Sequence, residues 1–196
     1  MTRSPDYPID PMFTQRWSPR AFDGQAMDDH DLKTIMEAAR WAPSCYNYQP
    51  WRFIFIHRED ARWDASIGVL DAFNQQWAKH ASALIFVVSD TLMGPSEDRL
   101  APSHFHSFDA GAAWAHMSLQ ANRIGYHMRA MAGVDYARAP EVLRLPTRFK
   151  LQIAVAVGRQ TTPEHLPDMM QKDEVLTPRR PLQDTIFEGV FAVTEN

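Results

Sequence analysis

The sequence is poor in cysteine. Cys45 is the only one in 196 residues, so no internal disulfide can form, which fits a reducing, cytoplasmic setting. Long apolar runs are absent too: none approaches the ~18 residues of a membrane span, and the opening "MTRSPDYPIDPMF" lacks the apolar stretch of a secretory signal. There is no excess of positive charge. The net charge is −4 and the pI about 6.0, which argues against nucleic acid and against a polybasic membrane anchor. Three catalytic signatures are missing: G-x-G-x-x-G after a first strand, the G-x-S-x-G elbow and H-E-x-x-H. A Rossmann dinucleotide fold, a serine hydrolase of that type and a zincin therefore lose their main support. No internal repeat or low-complexity segment stands out.

What is present is an ordinary globular share of apolar residues, 45%, with 6 Trp, 11 Phe, 5 Tyr and 10 Met. That richness fits a well-filled core, or a site for a flat aromatic ligand. The length suits one domain. The segment "MDDHDLKTIMEAARWAP" (27–43) predicts a helix: Leu32, Ile35, Met36 and Ala39 share a face, and Asp28 or Asp29 serves as N-cap. Strands are predicted over 52–57, 83–89 and 150–159, and a short one in "YHMRAM" (126–131). Helices are predicted over 59–81 and 107–125, and a brief one within 136–146. Residues 90–104 read as loop, 1–13 as an arm. The tail from Thr161 is proline-punctuated yet carries Ile186, Phe187, Val190 and Phe191, apolar residues that would find cover on a partner subunit. Interleaved helices and strands make this a mixed α and β domain.

Several residue groups could carry chemistry. Arg16, Ser18 and Arg20 alternate, so an extended backbone puts them on one face. Two guanidinium forks and a hydroxyl suit a phosphate monoester, although a solvated basic segment has the same pattern. Arg179 and Arg180 form a second basic pair, relevant only if the fold brings them to Arg16. Asn74 and Trp77 lie three apart on one helix face, and an amide can match a ring edge with mixed donors and acceptors. "SHFHSF" offers His104 and His106 as a start for a metal site, with no evident further ligands. Cys45 would need a base to act as a nucleophile. His30 and His57 are nearest in sequence, and the pattern places neither beside it.

Five stretches in order resemble the FMN-dependent nitroreductase family. They are "RWSPR" (16–20), "APSCYNYQPW" (42–51), "FNQQWAKHA" (73–81), "FDAGAAWAHMSLQANRIGYHMRAMAGVD" (108–135), and "LQIAVAVG" (151–158) followed by "RRPLQDTIFEG" (179–189). The resemblance implies an α+β fold, a three-layer α-β-α sandwich with a mixed, mainly antiparallel sheet, in an intertwined homodimer. It implies one domain over 1–196, with 1–13 an arm and 161–196 an extension packing on the partner. It implies FMN at the dimer interface: Arg16, Ser18, Arg179 and Arg180 at the phosphate, Arg20 toward the pyrimidine edge, and Asn74 bonded to the ring. The backbone of Met131, Ala132 and Gly133 would pass close to the ring, while Pro43, Ser44 and Asn47 would come from the other subunit. Cys45 would then be a packing residue near the flavin. Trp17 stands where many members have Arg or His, and Trp77 where some have a lysine beside the flavin, a charge that Arg20 or Lys79 would have to replace if the flavin potential is not to be lower. Pro19 is unusual, and Ala132 stands where some members have Glu, so contacts there would be through backbone only. The implied reaction is hydride transfer from NADH or NADPH to flavin N5, then to a small electron-poor acceptor such as a nitroaromatic or quinone, in ping-pong fashion. The alternatives are reductive dehalogenation or desaturation of a small metabolite, a non-catalytic FMN store or sensor, and a Cys45-dependent thiol enzyme. The lid between Ser89 and Ser107 is expected to be open or disordered.

Overall fold

A computed structural model of the chain describes residues 3–191. The expected arm and extension reach into 1–2 and 192–196, which lie outside the described residues. At the end of the expected arm, Asp10 accepts a hydrogen bond from the Met12 amide and starts a short helix, α1 (Pro11–Gln15). The first long helix, α2 (Asp29–Arg40), buries Leu32, Ile35 and Ala39, and the Asp28 carboxylate caps it by accepting from the His30 amide at 2.7 Å. Loss of that cap in Asp28→Ala should cost about 1 kcal/mol. A thermal melt should then show a midpoint lower by about 2–4 °C; an unchanged midpoint would show that solvent replaces the cap without loss.

Strand β1 (Trp51–His57) follows. The single helix expected over 59–81 is two helices, α3 (Trp63–Ile67) and α4 (Ala72–Ala78). The break has two local causes and one distant one. Gly68 ends α3, Leu70 makes an antiparallel bridge to Val134, and the Asp71 carboxylate caps α4 by accepting from the Asn74 amide at 2.7 Å. β2 (Ala83–Asp90) is buried along its whole length. The expected loop 90–104 contains a small hairpin, β3 (Leu92–Met93) with β4 (Ala101–Pro102), tied down where Arg148 pairs with both Asp90 and Glu97. α5 (His106–Arg123) comes next, ended by Gly125 at φ +82°. Then come β5 (His127–Met131), α6 (Ala139–Val142), β6 (Phe149–Gly158) and α7 (Asp168–Gln171).

The main sheet runs β1-β2-β6-β5, antiparallel at every pair; the parallel member of a mixed sheet is not found among the described residues. Alternation along β2 divides the core. Ala83, Ile85 and Val87 face α2 and α5 with Leu32, Ile35, Ala113 and Met117. Leu84, Phe86 and Val88 face the other way, toward Trp63, Trp77, Leu166 and Met170. The result is three layers with the sheet in the middle, as a sheet apolar on both faces requires. One irregularity matters for reading the sequence: β6 bulges at Gln152, since Val87 pairs with Ile153 and Val88 with Leu151. Leu151 and Ile153 therefore serve opposite layers although two residues apart. No helix among the described residues is long and apolar enough to cross a membrane.

Candidate functional site

The edge strand β5 organises the site. Its alternate residues His127, Arg129 and Met131 share a face, and the segment 16–20 lies along it. At one end the Arg16 guanidinium donates to the Ser18 hydroxyl at 3.1 Å. Burial first, then repulsion from Arg179 and Arg3, holds the Arg16 guanidinium below its ordinary pKa. The fold therefore brings Arg179 of the tail to Arg16. Arg180 is exposed beside it, on a groove that Arg3, Phe13 and Pro178 also line. Arg3 is a further member that the sequence did not disclose: it donates to the carbonyls of Arg16 at 2.8 Å, Thr14 at 3.2 Å and Thr177 at 2.9 Å, clasping arm to tail. Trp17 donates to Gln160 at 3.1 Å and meets the His127 ring edge-on. Pro19 is buried in the same run. His127 keeps a buried Nδ1 with no partner, and burial, then Arg16, pushes its pKa down.

In the middle of the row, Arg129 donates to the Ser18 carbonyl and lies over the Trp77 ring, 5.7 Å from its centroid. Trp77 itself is fully buried against Phe22, with an indole N–H that meets no acceptor. Arg20 lies 5.8 Å from the Phe73 ring centroid, with one nitrogen 3.7 Å from Glu174. The Glu174 carboxylate accepts from the backbone amides of Arg20 and Ala21 at 2.5 and 2.9 Å. Arg20 Nε and Glu174 Oε2 are buried without hydrogen-bond partners, although the two groups are close enough to attract; the polar potential at this point is unspent.

At the far end Asn74 meets the segment after β5. Its amide lies 3.4 Å from the Gly133 carbonyl, and the Asp71 amide donates to that carbonyl at 3.0 Å. A Cβ on Gly133 would stand 1.8 Å from the Asp71 carboxylate and 2.6 Å from Asn74 Nδ2, so only glycine permits this approach. Met131 is buried, Ala132 exposed. The row thus runs from Arg16, Ser18 and Arg179 through Arg129 and Arg20 to Asn74 and Gly133. A cluster of guanidinium groups ends it on one side, an amide and bare backbone on the other. Lys79 is exposed at the end of α4, beside Arg58 and His80.

The loop with Pro43, Ser44, Cys45 and Asn47 is not in the row. It leads into β1, the opposite edge strand, three strand spacings or roughly 14 Å across the sheet from β5. It is a tight structure in its own right. Tyr46, Asn47 and Gln49 all have positive φ, 48°, 57° and 51°. Ser44 Oγ accepts from the Gln49 amide at 3.0 Å, and the buried Asp109 carboxylate accepts from the Cys45 amide at 3.1 Å. Exposed aromatics surround it: Trp41, Tyr46 and Phe108 are 70%, 87% and 79% accessible. Neither His30 nor His57 bonds to Cys45, and His57 sits at the other end of β1, roughly 20 Å along the strand. His106 pairs with Ser89 at 2.7 Å, and among the described residues no three metal-ligating side chains converge.

Sequence pattern alone overlooked His127, Arg129 and Glu174. The alternation in "HMRAM" could have put His127 and Arg129 beside Met131. Nothing local marks Glu174, which acts on Arg20 from 154 residues away.

Known proteins resemble this chain in sequence and in fold. A solved structure described as an oxidoreductase containing FMN shares 45% identity, with a TM-score of 0.95 over 98% of this chain and 97% of that one. A Desulfovibrio desulfuricans protein solved in complex with FMN is 25% identical, with a TM-score of 0.69 over 94% of this chain and all of that one. The oxygen-insensitive NADPH nitroreductase of Helicobacter pylori (strain J99) is 36% identical over 95 residues, 48% of this chain and 42% of that protein. The match thus spans less than half of that relative's length. The sequence model of the Nitroreductase family matches residues 13–159, which takes in Arg16, Ser18, Arg20, Asn74, Arg129 and Gly133 and the loop from Ser44 to Gln49 but not Glu174 or Arg179, and the chain belongs to that family.

Proposed function

We propose that this chain is an FMN-dependent NAD(P)H oxidoreductase of nitroreductase type, acting as a homodimer on small electron-poor acceptors such as nitroaromatics or quinones. The observation that carries the reading is the polarity of the row: a guanidinium cluster at one end, beside the unpartnered Nδ1 of His127, an amide with open backbone at the other, and the buried unpartnered Nε of Arg20 between them. A group with an anionic phosphate, a polar chain and a flat ring with mixed donors and acceptors fits that order. FMN, when bound there, supplies the hydride chemistry between NADH or NADPH and the acceptor, in two alternating half-reactions.

The residues of the chain bind and orient. Arg16, Ser18 and Arg179, with Arg180 at the rim, give charge-assisted hydrogen bonds to the phosphate. Arg20 and Asn74 address the polar edge of the ring, and the chain from Met131 to Gly133 lets backbone approach it. Trp77 lies beneath Arg129, and Trp17 walls the phosphate end. Pro43, Ser44, Cys45 and Asn47 reach the site from a second copy, since β1 and β5 are opposite edges. No side chain acts as nucleophile. The whole chain works as one unit of the dimer, and the tail after Thr161 finds its cover there: Ile186, Phe187, Val190 and Phe191 are all exposed in the single chain.

The test is spectroscopic. The protein, reconstituted with FMN, should be yellow and should bleach on anaerobic mixing with NADH or NADPH, and a nitroaromatic or quinone should restore the colour. Cys45→Ser should keep full turnover. Failure to bleach with either nicotinamide points to an FMN store, and failure to hold FMN at all overturns the reading.

A further inference from the structure

Arg129 is placed as a ligand-facing cation would be. It stands in the middle of the row and is half-buried. Among the described residues one acceptor, the Ser18 carbonyl, takes a hydrogen bond from it, out of five N–H donors a guanidinium carries. The Trp77 ring supports it from below, leaving the planar fork oriented and little of its freedom to be lost on binding. Two guanidinium groups, Arg129 and Arg20, share this space with one carboxylate, Glu174. Burial, then Arg20, lowers the Arg129 pKa while Glu174 raises it. Two like charges kept close in a partly desolvated place with a single counter-charge are poorly compensated. The excess positive charge lies between the phosphate end and the ring end, where an anionic ligand would meet it. Lys79, the other cation expected near the ring, is exposed and grouped with Arg58 and His80.

We propose that Arg129 binds the flavin directly and, with Arg20, favours its reduced form, while Glu174 positions Arg20 from behind by holding its backbone amide. The proposal rests on the FMN reading above. A fixed positive charge stabilises whichever redox form carries more negative charge, so Arg129 should bind the reduced cofactor more tightly than the oxidised one. Trp77 makes this possible as an aromatic floor that a guanidinium can lie on.

The experiment compares the parent holoprotein with Arg129→Met and Arg129→Lys, by FMN titration of apoprotein, dye-equilibrated redox titration and thermal melts of the apoprotein. The Met variant should bind oxidised FMN about tenfold more weakly. Its preference for the reduced form should fall about a further tenfold, which lowers the two-electron midpoint by about 30 mV. The Lys variant should keep most of the midpoint, because the charge remains, yet bind FMN more weakly, because the fork is lost. A Met variant with the parent's affinity and midpoint overturns the proposal. If the Met variant does not fold, the Lys variant decides: a lowered melting temperature with unchanged FMN affinity assigns Arg129 to the fold alone and also overturns it. A parent that takes up no FMN is a separate outcome, seen before any variant is made, and removes the FMN reading beneath.

Discussion

Arg16→Ala should yield a folded protein that purifies nearly colourless and binds FMN about 10²–10³-fold more weakly than the parent. A guanidinium on a phosphate makes one or two charge-assisted hydrogen bonds, each worth about 1.5–3 kcal/mol, and 1.4 kcal/mol is about tenfold in affinity. Stability of the apoprotein should move the other way or not at all. Arg16 is half-buried among Arg3 and Arg179, and its removal relieves repulsion at the loss of one bond to Ser18. The two measurements, a fluorescence titration with FMN and an apoprotein melt, therefore separate a binding role from a structural one. A large drop in melting temperature with intact FMN affinity would place Arg16 in the fold and not at a phosphate.

The second large effect is expected at Gly133→Ala. The new methyl would overlap the Asp71 carboxylate, which cannot swing away freely because it caps α4 and because the Asp71 amide is bonded to the Gly133 carbonyl itself. Overpacking of this kind costs about 1–3 kcal/mol, and a displaced cap adds about 1 kcal/mol. The melting temperature should fall by about 5–15 °C. Asn74 would be pushed from its place as well, so FMN affinity should fall with stability. A Gly133→Ala, Asp71→Ala double variant should recover part of the loss, since the two changes share one contact. An unchanged melting temperature in the single variant would refute the close approach.

The readable parts of the sequence were those governed by local chemistry. β2 declared itself through an unbroken apolar, β-branched run, and α2 through a periodic face and an aspartate cap. Arg16 and Ser18 were legible because alternation is enough to put them on one face. The unreadable parts depended on distant partners. Residues 59–81 keep a helical apolar spacing from Trp63 to Trp77, and what divides them is a bridge from Leu70 to Val134, 64 residues on. Gln152 shifts the alternation of β6 by one residue, which no composition signals. Arg129 lies in a short strand, and the pattern of that strand does not tell what its charged residue faces. Glu174 belongs to a tail with no periodic pattern, and its function is to cap amides at the other end of the chain.

The loop from Ser44 to Gln49 has a thermodynamic consequence for whatever docks on it. Left-handed backbone at Tyr46 and Gln49 costs about 1–2 kcal/mol each, and the same sequence as a free peptide would leave that shape at once. Here Ser44, Asp109 and the turn amides hold it, so its conformational entropy is surrendered during folding. Encounter with a second molecule then starts from a surface that is already set. The heat-capacity change of association should report only the area covered, with no contribution from ordering the loop, and the rate should be limited by orientation and not by a search through loop conformations.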